Sequence, residues 1–230
     1  MKNKRNNTRT GAKSASLQAY EQVKAQILRN ELDSKKPLDE KVFAKELHTS
    51  RTPVREALIM LEKDGLVSRG EGRGFYIKQF RMRDVQDLYE FREIVETAIA
   101  PKIISNMDKE RIQALSQILD GVRAVLKKRD PAEILPKSFE FHTRFIELCD
   151  NSIIIDFMRN CHEKILQISW ACKEYASSPS DYEEHRAILS ALQKRGLKKL
   201  QMKIRKHISG AKKNAIEIMK SDMERLYFHP

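Results

Sequence analysis

Three histidines and a pair of arginines are the side chains in this 230-residue sequence whose spacing could support specific chemistry. His185 stands 11 residues before Gly196, and His207 stands 11 after it. If Gly196 turns the chain between antiparallel helices, each histidine lies roughly 16 Å from the turn, and the two reach the same level. His142 belongs to a separate helical stretch. Three imidazoles brought together in a bundle make a site for Zn, Ni or Mn. The same residues also fit ordinary histidines hydrogen-bonded in a core or at a surface, and the spacing is compatible with both. A metal-dependent hydrolase built on the cluster is the rival reading. It lacks a His-Glu-x-x-His motif to bring a general base to the metal.

The arginines lie in SRTPVREAL, Ser50 to Leu58. On a helix, Val54, Leu58 and Leu61 share an apolar face, while Arg51 and Arg55, four apart, share another in the first turns. A planar guanidinium can meet O6 and N7 of guanine or clamp a phosphate, and Thr52 beside them can donate to phosphate or touch a thymine methyl. Two solvated arginines on a surface helix would look the same in isolation. Position adds weight to the DNA reading. A short helix and a tight turn precede this one, and Arg69-Gly70-Glu71-Gly72-Arg73-Gly74 follows, between Leu66-Val67-Ser68 and Phe75-Tyr76-Ile77. Two short apolar runs around a glycine-rich turn predict a β-hairpin whose Gly-Arg-Gly tip can approach a minor groove or a backbone.

The elements that must position these residues are mostly helical. Leu17, Tyr20, Val23 and Ile27 predict a helix over 16–30. Asp39 caps a short helix carrying Phe43 and Leu47, and Ser50 caps one that Gly65 ends. From Asp84 onward, helices are expected over 84–105, 108–128, 131–149, 152–175, 181–195 and 197–227. Asp130-Pro131 reads as a cap followed by proline at the first helical position, and Ser180-x-x-Glu183 reads as a capping box. Residues 1–15 are a basic arm with no apolar stretch of the kind a signal peptide carries. Domains are expected at 16–78 and 84–230, joined by a linker over 79–83.

The formal net charge is +12, and the first 79 residues hold 17 Lys/Arg against 10 Asp/Glu. Positive density at that end suits a phosphate backbone. Cys149, Cys161 and Cys172 are odd in number and lack Cys-x-x-Cys spacing, which argues against a disulfide framework and for a reducing, cytoplasmic setting. No apolar run reaches transmembrane length, so no membrane partner is expected.

The segment LDEKVFAKELHTSRTPVREALIMLEKDGLVSRGEGRGFYI, Leu38 to Ile77, resembles the winged helix-turn-helix of GntR-family transcriptional regulators. DLYEFREIVET (87–97), FEFHTRFIELCDN (139–151), EEHRAILSALQKRG (183–196) and the later His207 resemble the effector-binding FCD domain of the FadR-like branch. The resemblance implies a mainly α fold, with an N-terminal winged helix-turn-helix and hairpin wing followed by an all-α helical-bundle effector domain. It implies DNA contacts from Lys41, Ser50, Arg51, Thr52, Arg55, Arg73 and Gly74. It also implies a ligand-responsive regulator, of the repressor type, that acts as a homodimer on a double-stranded operator and senses a small organic acid.

Many FadR-like members hold a divalent metal with histidines at the positions of His142, His185 and His207, and with an aspartate one turn before the first. Here that position is Ser138, a far poorer ligand, and Glu140, two residues away from His142, faces elsewhere. Arg92 matches a position that often faces the effector pocket; its spacing fits equally an ion pair to Glu96 one turn on. Trp170 fits either the pocket wall or the core. His48 stands where the family usually has glycine, and histidine tolerates a left-handed backbone better than most residues.

Overall fold

The computed structural model describes residues 14–70, 74–171 and 179–228. The expectations for most of the N-terminal arm, for Arg73 and for Cys172 lie outside the described residues. The chain divides into two compact units, with the main break between Lys78 and Gln79. Among the described residues there are nine α-helices and one two-stranded sheet, and no helix is long and apolar enough to cross a membrane.

The first unit contains α1 (Ala15–Leu28), α2 (Glu40–Glu46), α3 (Arg51–Asp64), β1 (Val67–Arg69) and β2 (Phe75–Ile77). The strands pair antiparallel with Val67 opposite Ile77 and Arg69 opposite Phe75. Leu38 adds an isolated bridge to Phe75, a pairing the sequence reading missed. Val23, Phe43, Val54, Leu58, Leu61 and Phe75 form the buried interior. Asp39 caps α2 through its side chain, which accepts from the Lys41 N–H at 2.7 Å. His48 does adopt the left-handed region, at φ 49°. The Thr49 N–H bonds the Ala44 carbonyl and the His48 N–H bonds the Lys45 carbonyl, so the turn between α2 and α3 closes as a Schellman motif without glycine. Gly65, at φ 78°, closes α3 in the same way through Leu66 and Leu61. Gly70 is needed for another reason: a Cβ there would stand 2.4 Å from the Tyr76 ring.

The second unit is a bundle of α4 (Met82–Ser105), α5 (Lys109–Leu126), α6 (Pro131–Glu147), α7 (Ser152–Ala171), α8 (Pro179–Gln193) and α9 (Leu197–Phe228). The long α9 packs on α4 and α8, α5 on α6 and α8, and α6 on α7. Ile99, Ile103, Leu115, Phe141, Leu192 and Ile204 are among the residues that fill the core between them. Pro101 sits inside α4 and cannot donate to the Thr97 carbonyl four residues back. The Gln201 amide on α9 donates to that carbonyl instead, at 3.0 Å, which ties the two helices together.

Two local expectations need correction. Ser180 is already helical in α8, so the Ser180–Glu183 capping box does not open that helix. The left-handed residue between α8 and α9 is Arg195, at φ 51°, whose N–H bonds the Leu192 carbonyl; Gly196 follows it with an ordinary backbone. The helices still turn back at this point, which is what the histidine spacing requires. Cys149 and Cys161 are buried free thiols.

Candidate DNA-reading helix and histidine pocket

In the first unit, α3 presents Arg51, Thr52 and Arg55 on its exposed face. Ser50 takes the N-cap position with extended backbone, and its hydroxyl makes no capping bond to the helix. The arginine side chains are 60% and 54% exposed, yet both are steered by one carboxylate. Glu40, at the start of α2, accepts from Arg51 Nη2 at 3.1 Å and from Arg55 Nη1 at 3.2 Å. Each guanidinium keeps further N–H groups for a base or phosphate. The sequence reading missed Glu40; its partners stand 11 and 15 residues on, and only the α2–α3 turn brings them together. Lys41 is exposed one residue later. Gly74 immediately precedes β2, and its carbonyl accepts the Gly70 N–H across the hairpin.

In the second unit the three histidines converge from α6, α8 and α9. Their Nε2 atoms form a triangle: 2.9 Å from His142 to His185, 3.2 Å from His185 to His207 and 3.3 Å from His207 to His142. All three residues are buried. A neutral Nε2 carries either a proton or a lone pair. Of three mutually facing nitrogens, at least two must therefore carry the same, so hydrogen bonding alone leaves one edge repulsive. A cation at the centre lets all three turn lone pairs inward. Ligand nitrogens about 2.0–2.1 Å from an ion at ordinary coordination angles stand about 3.0–3.4 Å apart, close to the edges seen here. Burial, then Arg92 and the neighbouring imidazoles, hold His142 well below its usual pKa. Burial in the first place brings His185 down to about 4. At neutral pH both are unprotonated, so each ring keeps a lone pair to offer. The donor set fits a divalent ion.

Carboxylates surround the outer nitrogens. Glu184 lies 3.1 Å from His207 Nδ1, the arrangement that commonly orients a metal-binding imidazole. Ser138 donates its hydroxyl to Asp181 Oδ2 at 2.9 Å. Asp181 is four residues before His185, on the same face of α8, and the sequence reading overlooked it. Glu140 pairs with Lys137, away from the cluster.

Arg92 combines an ion pair with a place on a cavity wall. It is buried and ion-paired to Glu96, and it lines a cavity of about 120 Å³ with Tyr89, Ser138, His142, Asp181 and His207. Burial pushes the Glu96 carboxyl up, but Arg92 and His162 override it and hold it at about 2. Arg92 Nη2 also sits 2.8 Å from His142 Nδ1 and 3.1 Å from its Nε2. A guanidinium only donates, so it competes with a cation for the lone pair of this ring. A loaded site therefore requires Arg92 to turn off the ring. Trp170 packs with Leu135 and Leu166 in the core.

The carboxylates at this site engage imidazoles and a hydroxyl, and a hydrolase reading finds no support. Residues 15–77 match the model of bacterial regulatory proteins of the gntR family, and residues 87–210 match the FCD domain. The transcriptional regulator YdhC of Bacillus subtilis (strain 168) is 30% identical over 151 residues, which span 65% of this chain and 63% of that protein. The transcriptional repressor RspR of Escherichia coli (strain K12) is 24% identical over 189 residues, 82% of this chain and 83% of RspR. A GntR regulator from Rhodococcus sp. RHA1 superposes with a TM-score of 0.80 at 19% identity, over 89% of this chain and 99% of that one. McbR/YncC of E. coli does so at 0.79 and 18%, over 92% and 100%. At these identities the structural likeness concerns the fold. The family itself is shown by the two domain matches, the second of which covers over half of the chain. With these two matches, the helix-turn-helix with its arginine-bearing second helix, the hairpin and the helical domain with its histidine-lined cavity belong to a transcriptional regulator of the FadR-like, FCD-containing branch of the GntR family, and not to an enzyme.

Proposed function

We propose that this regulator is a homodimeric repressor that works in the cytoplasm and binds a small organic acid in a pocket containing a divalent metal. The observation that carries this reading is the convergence of three Nε2 atoms beside the buried guanidinium of Arg92. His142, His185 and His207 would hold the ion, and their donor set suits zinc, nickel or manganese. Such an ion supplies a positive charge and an electron-pair acceptor at the cavity wall, suited to a carboxylate oxygen. Arg92, once off the His142 ring, offers its fork to the same anion. A cavity of about 120 Å³ favours a small acid. Arg51, Thr52 and Arg55 read bases in the major groove, Lys41 and Ser50 hold phosphates, and Arg73 and Gly74 place the wing. Because acid and operator bind one protein, any preference of the acid for one arrangement appears as an equal change in operator affinity. RspR and the gluconate operon repressor of B. subtilis carry repressor names, which supports that sign of regulation.

The test is thermal unfolding of zinc-loaded protein against two- to six-carbon hydroxy and keto acids and their amides. A ligand at one hundred times its Kd adds about 2.7 kcal/mol. In a chain of this size that raises Tm by roughly 5–10 °C. Acids are expected to stabilise and amides to do nothing. Equal effects of the amides, or no response to any acid, would overturn the carboxylate assignment.

The homodimer rests on an apolar surface. Phe91 and Ile94 on α4, and Ile153 and Phe157 on α7, stand exposed at helical spacing on helices that pack together, with Ile153 and Phe157 at 67% and 66%. A second copy of the chain burying this face gives the two-fold symmetry that a pseudo-palindromic operator requires. Sedimentation of the wild type is expected to give a dimer, and Ile94→Lys with Phe157→Lys a monomer. A monomeric wild type, or an unaffected variant dimer, rejects this interface.

A further inference from the structure

Asp181 reaches the histidine cluster from the first turn of α8 and touches three helices at once. Its Oδ2 accepts from Ser138 Oγ on α6 and lies 3.8 Å from His185 Nδ1, while its Oδ1 lies 3.6 Å from His207 Nδ1 on α9. The same carboxylate lines the cavity. His185 is completely buried, and its Nδ1 has no hydrogen-bond partner. When Nε2 of a neutral imidazole serves a cation, the ring proton must sit on Nδ1, and a buried N–H needs an acceptor. Asp181 is the carboxylate placed to receive it.

Charge leads to the same residue. Three neutral imidazoles leave a buried divalent ion with its full positive charge, which is unfavourable without counter-charge. Glu184 supplies one negative charge through His207, and Asp181 supplies the second.

On the reading that the histidines hold a metal, we propose that Asp181 is the carboxylate of this centre. It is supplied from α8 in place of a carboxylate at position 138, and Ser138 holds it by a hydrogen bond. Asp181 acts as a positioning residue, orienting His185 and balancing the charge of the ion. Removing such a partner typically weakens metal affinity 10–100-fold.

The experiment measures the Kd of Zn²⁺ by competition with a chromophoric chelator. Asp181→Asn is nearly isosteric and is expected to weaken binding by roughly 10–100-fold, with all three histidines intact. Adding Ser138→Asp to that variant returns a carboxylate to the same space from α6 and is expected to recover at least tenfold. Ser138→Asp alone gives the gain that a carboxylate on α6 makes by direct ligation, and a recovery larger than that gain assigns the lost interaction to Asp181. Unchanged affinity in Asp181→Asn, or no recovery in the double variant, overturns this assignment while leaving the three-histidine centre standing. A wild type that fails to bind zinc removes the centre itself, and the assignment with it.

Discussion

Replacing Arg51 and Arg55 together by alanine is expected to reduce affinity for the operator by roughly 30- to 10⁴-fold. Each bidentate arginine–guanine contact discriminates by about 1–3 kcal/mol, and a tenfold change is about 1.4 kcal/mol. The fold is expected to survive. Both side chains are more than half exposed, and their pairs with Glu40 are of the surface kind that contributes little to stability. A duplex obtained by in vitro selection on the wild type serves as operator, and fluorescence anisotropy against a shuffled duplex gives the specific and nonspecific affinities. Base reading predicts that the selected duplex suffers far more than the shuffled one. Equal losses on both, with a salt slope reduced by about one per arginine, would identify the residues as phosphate clamps instead. Unchanged binding would remove the recognition-helix assignment. Part of the loss is expected to come from Glu40, which the double change leaves without its two arginine partners. Glu40→Gln in the same background isolates that repulsion.

This pairing also marks the limit of what one sequence shows. Caps, the apolar face of α3 and the turn at His48 depend on neighbours within a few residues, and their spacing is visible in the chain. Glu40 meets Arg51 and Arg55 only because the turn at His48 folds α2 against α3, and nothing in the local pattern of a surface glutamate records that. The histidines were legible because equal distances from a reversal bring two helical residues to one level. The reversal was placed correctly although its left-handed residue is Arg195 and not Gly196, since a shift of one residue leaves the helices antiparallel. Arg92 both pairs with Glu96 and lines a cavity, because a guanidinium has five N–H groups to divide between partners. Asp181 was within reach of the same one-turn spacing that set Glu140 aside. The resemblance points to an aspartate on the helix of His142, whereas Asp181 stands one turn before His185. A carboxylate supplied from a different helix leaves no trace in the local pattern around Ser138.

Replacing His185 by alanine is expected to abolish stoichiometric metal binding and, in the metal-free protein, to remove a sensitivity to acid. His185 shares two of the three edges of the Nε2 triangle, so its loss leaves two nitrogens 3.3 Å apart and opens the cluster. Elemental analysis of purified protein should fall from one ion per chain to a small fraction; a full complement in the variant would place the metal elsewhere. The acid effect follows from burial. An unfolded histidine titrates near 6.5, and His185 in the fold titrates near 4. Between those values the unfolded chain binds the proton and the folded one does not, so stability present above pH 6.5 is lost as the pH falls toward 4. The interval corresponds to about 3 kcal/mol from this side chain. Urea unfolding of metal-free protein across pH 7 to 4 is therefore expected to show a steeper decline in the wild type than in His185→Ala. Zinc should raise wild-type stability at neutral pH and leave the decline at least as steep, because an ion on Nε2 keeps the proton off the folded chain while the unfolded chain still takes it up. The variant should show no such protection. Equal pH slopes in the two proteins would mean that this imidazole is not buried in neutral form, and protection of the variant by zinc would mean that the ion does not depend on it.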